Sequence, residues 1–504
     1  MRALYNSVTL SRGDLTLRGE RDVTSFMRTS RDPELLLWAW TSWRDVIGPP
    51  LRPLFARTVE GANAAARRGG YSDMGAAWED ELDFDADIDV LTEIEALYNE
   101  VAPLYTLLHA RVRHALAEYY GEGVVGAAQP IPACDLWGQN WIALLDMILP
   151  EADNKCNAST SKVGKKTVRG MVKEGEKFFL GLGFPPLSKK FWSESILGDS
   201  EAPSNTTCHP RSLDMFSQDD YRMIMCNMQG EEGQAVAYHE LGHIYYFQSY
   251  SHQPTIFRDG ANSAFHETIG DTVQLSAMTP ACQSRSKVSG YQEPPQTEAN
   301  SRGSSSDNLS ASELRHLLTQ ALQKLPLFAF ARVMDEWRWG VFRGESAFWV
   351  FILHKIPEQS YNEWWWRLTL RYQGLAPPAP RSELHFDPAA KFHLADNIPF
   401  IRYFVAVVAQ FQLHQGLCEA SQERGERGGR LHTCCIKGSK KAGRLLRKSR
   451  EQRCIFWKSK NNFALYLVLL YRAQYHAVNF SYTTVLNRYV ITGHQVARLR
   501  HANK

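Results

Sequence analysis

Tyr238-His239-Glu240-Leu241-Gly242-His243-Ile244-Tyr245-Tyr246-Phe247 carries a His-Glu-x-x-His pattern. On an α-helix, residues four apart stand one turn above each other on the same face. His239 and His243 therefore aim both imidazoles at one point, an arrangement that suits a single Zn2+ ion. Glu240 lies one step round the helix, where its carboxylate can take a proton from a water at the metal without ligating it. A catalytic zinc needs a third protein ligand and an open fourth position. Downstream, Phe265-His266-Glu267-Thr268-Ile269-Gly270-Asp271 repeats the helical spacing with two carboxylates. Glu267 is the candidate third ligand, and Asp271 can hold a zinc histidine from behind.

These residues resemble the angiotensin-converting enzyme family, secreted zinc peptidyl-dipeptidases. The resemblance rests on His239 to His243, on Phe265-His266-Glu267 with Gly270-Asp271, and on later blocks. Those blocks include Trp337-Arg338-Trp339, Tyr361-Asn362-Glu363-Trp364-Trp365, Tyr372-Gln373-Gly374 and Phe386-Asp387-Pro388. It implies a mainly α fold with little β, a large helical metallopeptidase domain with a deep central channel between two lobes. Zinc lies at the floor of that channel, and chloride acts as an activator.

Further residues take their roles from the same resemblance. In Trp137-Gly138-Gln139-Asn140-Trp141, Gln139 matches a glutamine presented to the terminal carboxylate of an oligopeptide substrate. The related enzyme that removes a single residue carries arginine there, so Gln139 favours release of dipeptides. His209 matches a histidine that bonds the substrate backbone, although Pro210 follows it and has no N–H to donate. Lys391 matches the cation for the terminal carboxylate. His393 and Tyr403 match the donors that meet negative charge developing on the attacked carbonyl. Arg402 matches a chloride-binding residue, whereas Thr369 stands in the place of a second chloride-binding arginine, with Arg367 and Arg371 beside it. Phe400 replaces a tyrosine that helps to hold the carboxylate. The resemblance also implies a Cys208–Cys226 bridge beside the zinc helix and a Cys418–Cys434 bridge.

The chain has 504 residues, is 44% hydrophobic and carries a net charge of +3, enough for a large core and without the charge of a nucleic-acid binder. No run reaches the ~18 apolar residues of a membrane span. Nine cysteines leave at least one outside any intrachain pair. Sequons at Asn157, Asn205, Asn308 and Asn479 suit a secreted glycoprotein. Residues 1–29 read as polar, Arg-rich, patternless and outside the resemblance, and lack the apolar stretch of a signal peptide, so the chain reads as N-terminally incomplete. Residues 30–448 form the expected peptidase domain, without the N-terminal lid helices that the resemblance implies and with Pro33 opening its first helix. Irregular insertions fall near 282–310, which is Ser/Gln/Pro-rich, and 345–357, which is apolar; residues 449–504 form a basic tail. The function expected is zinc-dependent release of C-terminal dipeptides, with no nucleic-acid partner and an extracellular location by resemblance. The alternative is an inactive or misfolded truncated homologue that at most binds peptides or partners.

Overall fold

The computed structural model describes residues 1–82, 89–121, 131–132, 138–149, 166–198, 210–226, 228–260, 262–287, 310–344, 356–422 and 430–448. The first 29 residues, read as patternless, are structured. They form α1 (Arg2–Asn6), the antiparallel hairpin β1 (Thr9–Arg12) and β2 (Leu15–Arg18), and α2 (Gly19–Thr29). The hairpin turns at Gly13, whose φ of 58° falls where glycine is favoured. Tyr5, Val8, Leu10, Leu17, Val23 and Met27 are all buried. The five-residue α1 and the four-residue strands are too short to show a period, whereas Val23, Phe26 and Met27 give α2 one apolar face. The Tyr5 hydroxyl donates to the Ala390 carbonyl at 2.8 Å, and Trp43 Nε1 donates to the same oxygen at 3.0 Å.

Helix α3 (Pro33–Arg68) starts as the sequence predicts, with Pro33 in the first turn and the Asp32 carboxylate accepting from the amides of Glu34 and Leu35. It is followed by α4 (Met74–Asp80), α5 (Val90–Tyr120), β3 (Ile131–Pro132) and α6 (Leu145–Ile148). Next come α7 (Val168–Gly181), α8 (Lys189–Glu194), the antiparallel pair β4 (Arg211–Asp214) and β5 (Tyr221–Ile224), and α9 (Gly230–Tyr250). Then follow α10 (Ser263–Ala277), α11 (Pro280–Lys287), α12 (Ala311–Arg343) and α13 (Tyr361–Gln373). The series ends with β6 (Leu375–Ala376), α14 (Phe392–Asp396), α15 (Ile401–Ser421) and α16 (Lys440–Lys448). Ser310 and Glu313 close a capping box that starts α12. The mainly α class is observed, and every strand among the described residues pairs in a two-stranded sheet.

Two apolar cores form. One gathers Trp43, Phe55, Leu108, Trp337, Phe386 and Phe404 from α3, α5, α12, the segment before α14, and α15. The other gathers Phe179, Met223, Leu241, Ile269 and Leu446 from α7, β5, α9, α10 and α16. Helices α10 and α15 belong to both. Ala264 and Leu275 of α10 enter the first core, while Phe265, Ile269 and Val273 enter the second. On α15, Phe404 and Phe411 serve the first core, and Leu413 and Leu417 the second. The helix carrying the candidate third metal ligand therefore sits at the seam.

The expected insertions are only partly visible. Residues 282–287 continue α11, and Cys282 is bridged to Cys435, a pairing absent from the sequence reading. The expected Cys418–Cys434 bridge is present. Cys226 is disulfide-bonded, and its expected partner Cys208 lies outside the described residues. So do 288–309, 345–355, the tail from 449 and all four sequon asparagines. No described helix is long and apolar enough to cross a membrane.

One buried ion pair joins the helices of the first core. Asp335 and Arg338 on α12 are each 0% exposed. Asp335 Oδ1 accepts from Arg338 Nε at 2.7 Å, while Oδ2 accepts from the amides of Phe400 and Ile401 at the start of α15. One carboxylate thus neutralises a buried guanidinium and caps a neighbouring helix. Asp335→Ala, which strands both, is expected to lower unfolding stability by about 3–5 kcal/mol. Glu363→Ala removes an exposed pair with Arg367 and is expected to cost under about 1 kcal/mol, both read by chemical denaturation.

Candidate metal centre

Glycine decides how closely the two motif helices approach. A Cβ on Gly242 would stand 2.8 Å from Gly270 Cα, and one on Gly270 would stand 2.9 Å from the His239 ring. With no side chains between them, α9 and α10 cross almost backbone to backbone. Glu267 and Asp271 on α10 thereby reach His239 and His243 on α9.

Three donor atoms converge. His239 Nε2 lies 3.0 Å from His243 Nε2, and Glu267 Oε2 lies 3.5 Å and 3.8 Å from them. Tetrahedral zinc with ligands at ~2.0–2.1 Å holds neighbouring donors ~3.3 Å apart, so this triangle fits zinc. The outer nitrogens are also fixed. His239 Nδ1 meets Asp271 Oδ1 at 3.1 Å, and His243 Nδ1 meets His266 Nδ1 at 2.6 Å. With both Nε2 atoms turned inward, each Nδ1 carries the proton and donates outward. His266 must then accept on Nδ1 and keep its own proton on Nε2, which faces the Tyr250 hydroxyl at 3.5 Å. Burial holds the His266 pKa down at about 4, so it stays a neutral acceptor.

Asp271 is itself held. Its Oδ2 accepts from Lys324 Nζ on α12 at 3.0 Å and from Gln410 Nε2 on α15 at 3.1 Å. Burial opposes its charge, but the Lys324 ammonium and the His239 bond outweigh this and hold the carboxyl well below the usual range. Burial likewise opposes Glu267, yet its bond to His239 and the neighbouring positive charges bring it down to about 2. His239 resists burial through its bonds to Asp271 and Glu267 and is held up at about 10. His243 is pushed well below its ordinary value by burial and by the two neighbouring imidazoles. The cluster thus keeps two carboxylates ionised and tolerates one proton among converging nitrogens, a donor set suited to a divalent cation. His414, Cys418 and Cys434 also cluster, but both sulfurs belong to the disulfide.

Glu240 is 6% exposed, and Ser212 Oγ on β4 lies 2.7 Å from its Oε2 and 2.9 Å from its backbone carbonyl. Burial pushes the Glu240 carboxyl up. Tyr403 Oη lies 3.2 Å from His393 Nε2. Burial, reinforced by the charges of Glu267, Asp271 and Glu240, pushes the phenol up and keeps it protonated. Arg402 donates from Nε to the Pro399 carbonyl at 2.9 Å, and its charge bears on Glu267 and Tyr403.

Lys391 is buried in the wall of a pocket shared with Arg44, Trp365, Thr369, Leu375 and Asp387. Thr369, whose hydroxyl donates to the Trp365 carbonyl, lines this pocket beside Trp365 and Trp366. Arg367 pairs with Glu363 in solvent, and Arg371 is exposed beside Tyr372. The Phe400 ring lies 5.8 Å from Lys391 Nζ and 4.7 Å from the His393 ring. Gln139 Oε1 is buried with no partner among the described residues. His209 lies outside the described residues.

Sequence reading missed His266, Ser212, Lys324, Gln410 and the glycine pair. His266 stands inside the quoted motif, and Lys324 is a lone charge in Leu322-Gln323-Lys324-Leu325-Pro326-Leu327-Phe328, both detectable signals. Asp271→Asn is expected to weaken zinc binding by about 10- to 100-fold, measured by chelator competition. Zinc must displace the proton held on His239, whose pKa is raised, so affinity is expected to tighten as pH rises and weaken in acid.

A family model described as angiotensin-converting enzyme matches residues 1–459, a span that takes in the N-terminal hairpin. Angiotensin-converting enzyme of Bos taurus is 38% identical over 437 residues, covering 85% of this chain and 31% of that protein. The angiotensin-converting enzyme-like protein Ace3 of Mus musculus is 36% identical, covering 88% of this chain and 57% of the relative. Angiotensin-converting enzyme of the leech Theromyzon tessulatum is 33% identical, covering 84% and 65%. The chain spans about a third of the length of the mammalian angiotensin-converting enzymes it matches. Together with the His239, His243 and Glu267 triangle, these matches establish that the chain belongs to the angiotensin-converting enzyme family of zinc metallopeptidases.

Proposed function

We propose that this chain is a zinc-dependent peptidyl-dipeptidase that releases C-terminal dipeptides from oligopeptides. The observation that carries the reading is the convergence of the His239, His243 and Glu267 donors within 4.8 Å of one another, with the buried Glu240 carboxylate on the same helix. Zinc held by these three residues supplies a Lewis acid that lowers the pKa of a water and polarises the scissile carbonyl. Glu240 takes the proton from the attacking water and returns it to the leaving amine. A carboxyl raised by burial suits both steps, because its proton affinity lies nearer neutrality. Ser212 holds that carboxylate in one orientation.

His393 and Tyr403 form a pair of donors for the negative charge that develops on the carbonyl oxygen. The raised pKa of Tyr403 keeps its hydroxyl a donor throughout the working pH range. Lys391, with Gln139, binds the terminal carboxylate of the peptide, and the amide in place of a second cation favours a dipeptide leaving product. Phe400 offers no hydroxyl there, so carboxylate binding rests on these two residues. His209 is assigned to the substrate backbone by resemblance alone. Arg402 is assigned to an activating chloride, and its charge near Glu267 and Tyr403 supports that role. The Cys282–Cys435 and Cys418–Cys434 bridges support an oxidising, extracellular location.

Hydrolysis of a blocked tripeptide by the zinc-loaded chain tests the reading. Release of a C-terminal dipeptide is expected, and Glu240→Gln is expected to lower kcat by at least about 1000-fold while zinc remains bound. Chloride is expected to stimulate turnover in the parent chain and not in Arg402→Gln. Bound zinc without turnover in the parent chain would instead favour a peptide-binding homologue.

A further inference from the structure

The sequence block Tyr372-Gln373-Gly374 has no part in the chemistry derived above, yet its central side chain is 0% exposed. Gln373 ends α13 and points its amide at the Gln139 segment, where Nε2 donates to the Gly138 carbonyl at 2.8 Å. That carbonyl belongs to the peptide plane joining Gly138 to Gln139. A planar peptide bond means that fixing the oxygen also fixes the following N–H and the Gln139 Cα. Gly138 has φ of 73°, and a Cβ there would stand 2.4 Å from Leu375 Cδ1, so the segment lies tight against the chain just after Gln373. Leu375 also lines the Lys391 pocket, and β6, which begins at Leu375, pairs in parallel with β3 just upstream of Gln139. On the other side, the Trp141 amide donates to the Leu322 carbonyl at 2.9 Å. Gln139 is thus clamped from both directions.

The end of α13 is an unusually firm base for such a clamp. The last carbonyls of a helix lack intrahelical partners. Here α5 supplies them. The Tyr98 hydroxyl donates to Tyr372 O at 2.6 Å, and the Tyr105 hydroxyl donates to Gln373 O at 2.8 Å. His109 Nε2 lies 3.1 Å from Gly374 O, and burial lowers its pKa to about 4, so it donates as a neutral imidazole. Gly374 takes φ of 62°, and a Cβ on it would stand 2.8 Å from His109, so only glycine lets the helix end against α5.

We infer that Gln373 is a positioning residue for substrate recognition, orienting Gln139 towards the terminal carboxylate of the peptide. The inference rests on the assignment of Gln139 made under the proposed function. It links α5 and α13 to the length of product released.

The test compares Gln139→Met, Gln373→Met and the double variant of the zinc-loaded chain. Each hydrolyses a blocked tripeptide with a free C-terminus and the same peptide amidated. Both single variants are expected to raise KM for the free acid about tenfold, with kcat changed less than about twofold and zinc affinity unchanged. The amidated peptide is expected to be unaffected, and the double variant to be no worse than either single. If Gln139→Met raises KM and Gln373→Met does not, the inference falls and the assignment of Gln139 stands. If Gln139→Met leaves KM unchanged, both fall together. Equal losses on both peptides, additive losses in the double variant, or a loss in kcat alone would reduce Gln373 to a structural role and overturn the inference. Gln373→Asn keeps a buried amide but falls short of Gly138, and serves if the methionine variant does not fold, with the same pattern expected. Calorimetric affinity for the product dipeptide replaces KM where turnover is too slow.

Discussion

The whole site depends on two helices touching through glycine. If Gly242 or Gly270 carried a Cβ, α9 and α10 would be pushed apart by roughly the width of a methyl group, and Glu267 would leave the imidazole pair. The metal geometry has little tolerance, since ligands must lie within about 0.2 Å of their preferred distances. Spacing along each helix supplies the donors, but this contact between backbones brings the two sets together. The cost of placing glycine in two helix interiors is offset by burial of both helices in the second core, where Leu241, Ile244, Ile269 and Val273 are almost wholly removed from water.

Charge is organised outward from that crossing. Asp271 turns one carboxylate into a junction for α9, α10, α12 and α15 through His239, Lys324 and Gln410. Asp335 does the same between α12 and α15 in the first core. Both use a single acid to satisfy a buried cation together with a neutral donor or donors from another helix. Each acid holds a buried cation and donors from a neighbouring helix at once, so it restricts how the helices can slide. Because α10 and α15 serve both apolar cores, the alignment of the two cores and the alignment of the donors become the same constraint.

Cys434 and Cys435 are neighbours in sequence but reach different partners, Cys418 on α15 and Cys282 on α11. Together they tie the segment after α15 to the helix that follows α10. The Cys282–Cys435 bridge fixes the chain just before the Ser/Gln/Pro-rich stretch to the segment after α15.

Several features were legible in the sequence because they are local. The spacing of His239 and His243 and the proline after Asp32 each act within one or two turns of a helix, where residue identity and period determine geometry. Glu267 and Asp271 were readable for the same reason. The hairpin and α1 were not, since each is shorter than the window in which a period emerges, and the helical spacing of Val23, Phe26 and Met27 on α2 was passed over. Nor were Lys324, Gln410, Ser212 and His266 assignable, because their partners lie on other helices or strands. The Gln373 bond to Gly138 spans 235 residues, a separation at which no pattern along the chain carries information. Sequence alone determined the donors and the helices that bear them. Tertiary structure decided which donors meet, because convergence depends on the distance between helix axes and on buried carboxylates shared across them.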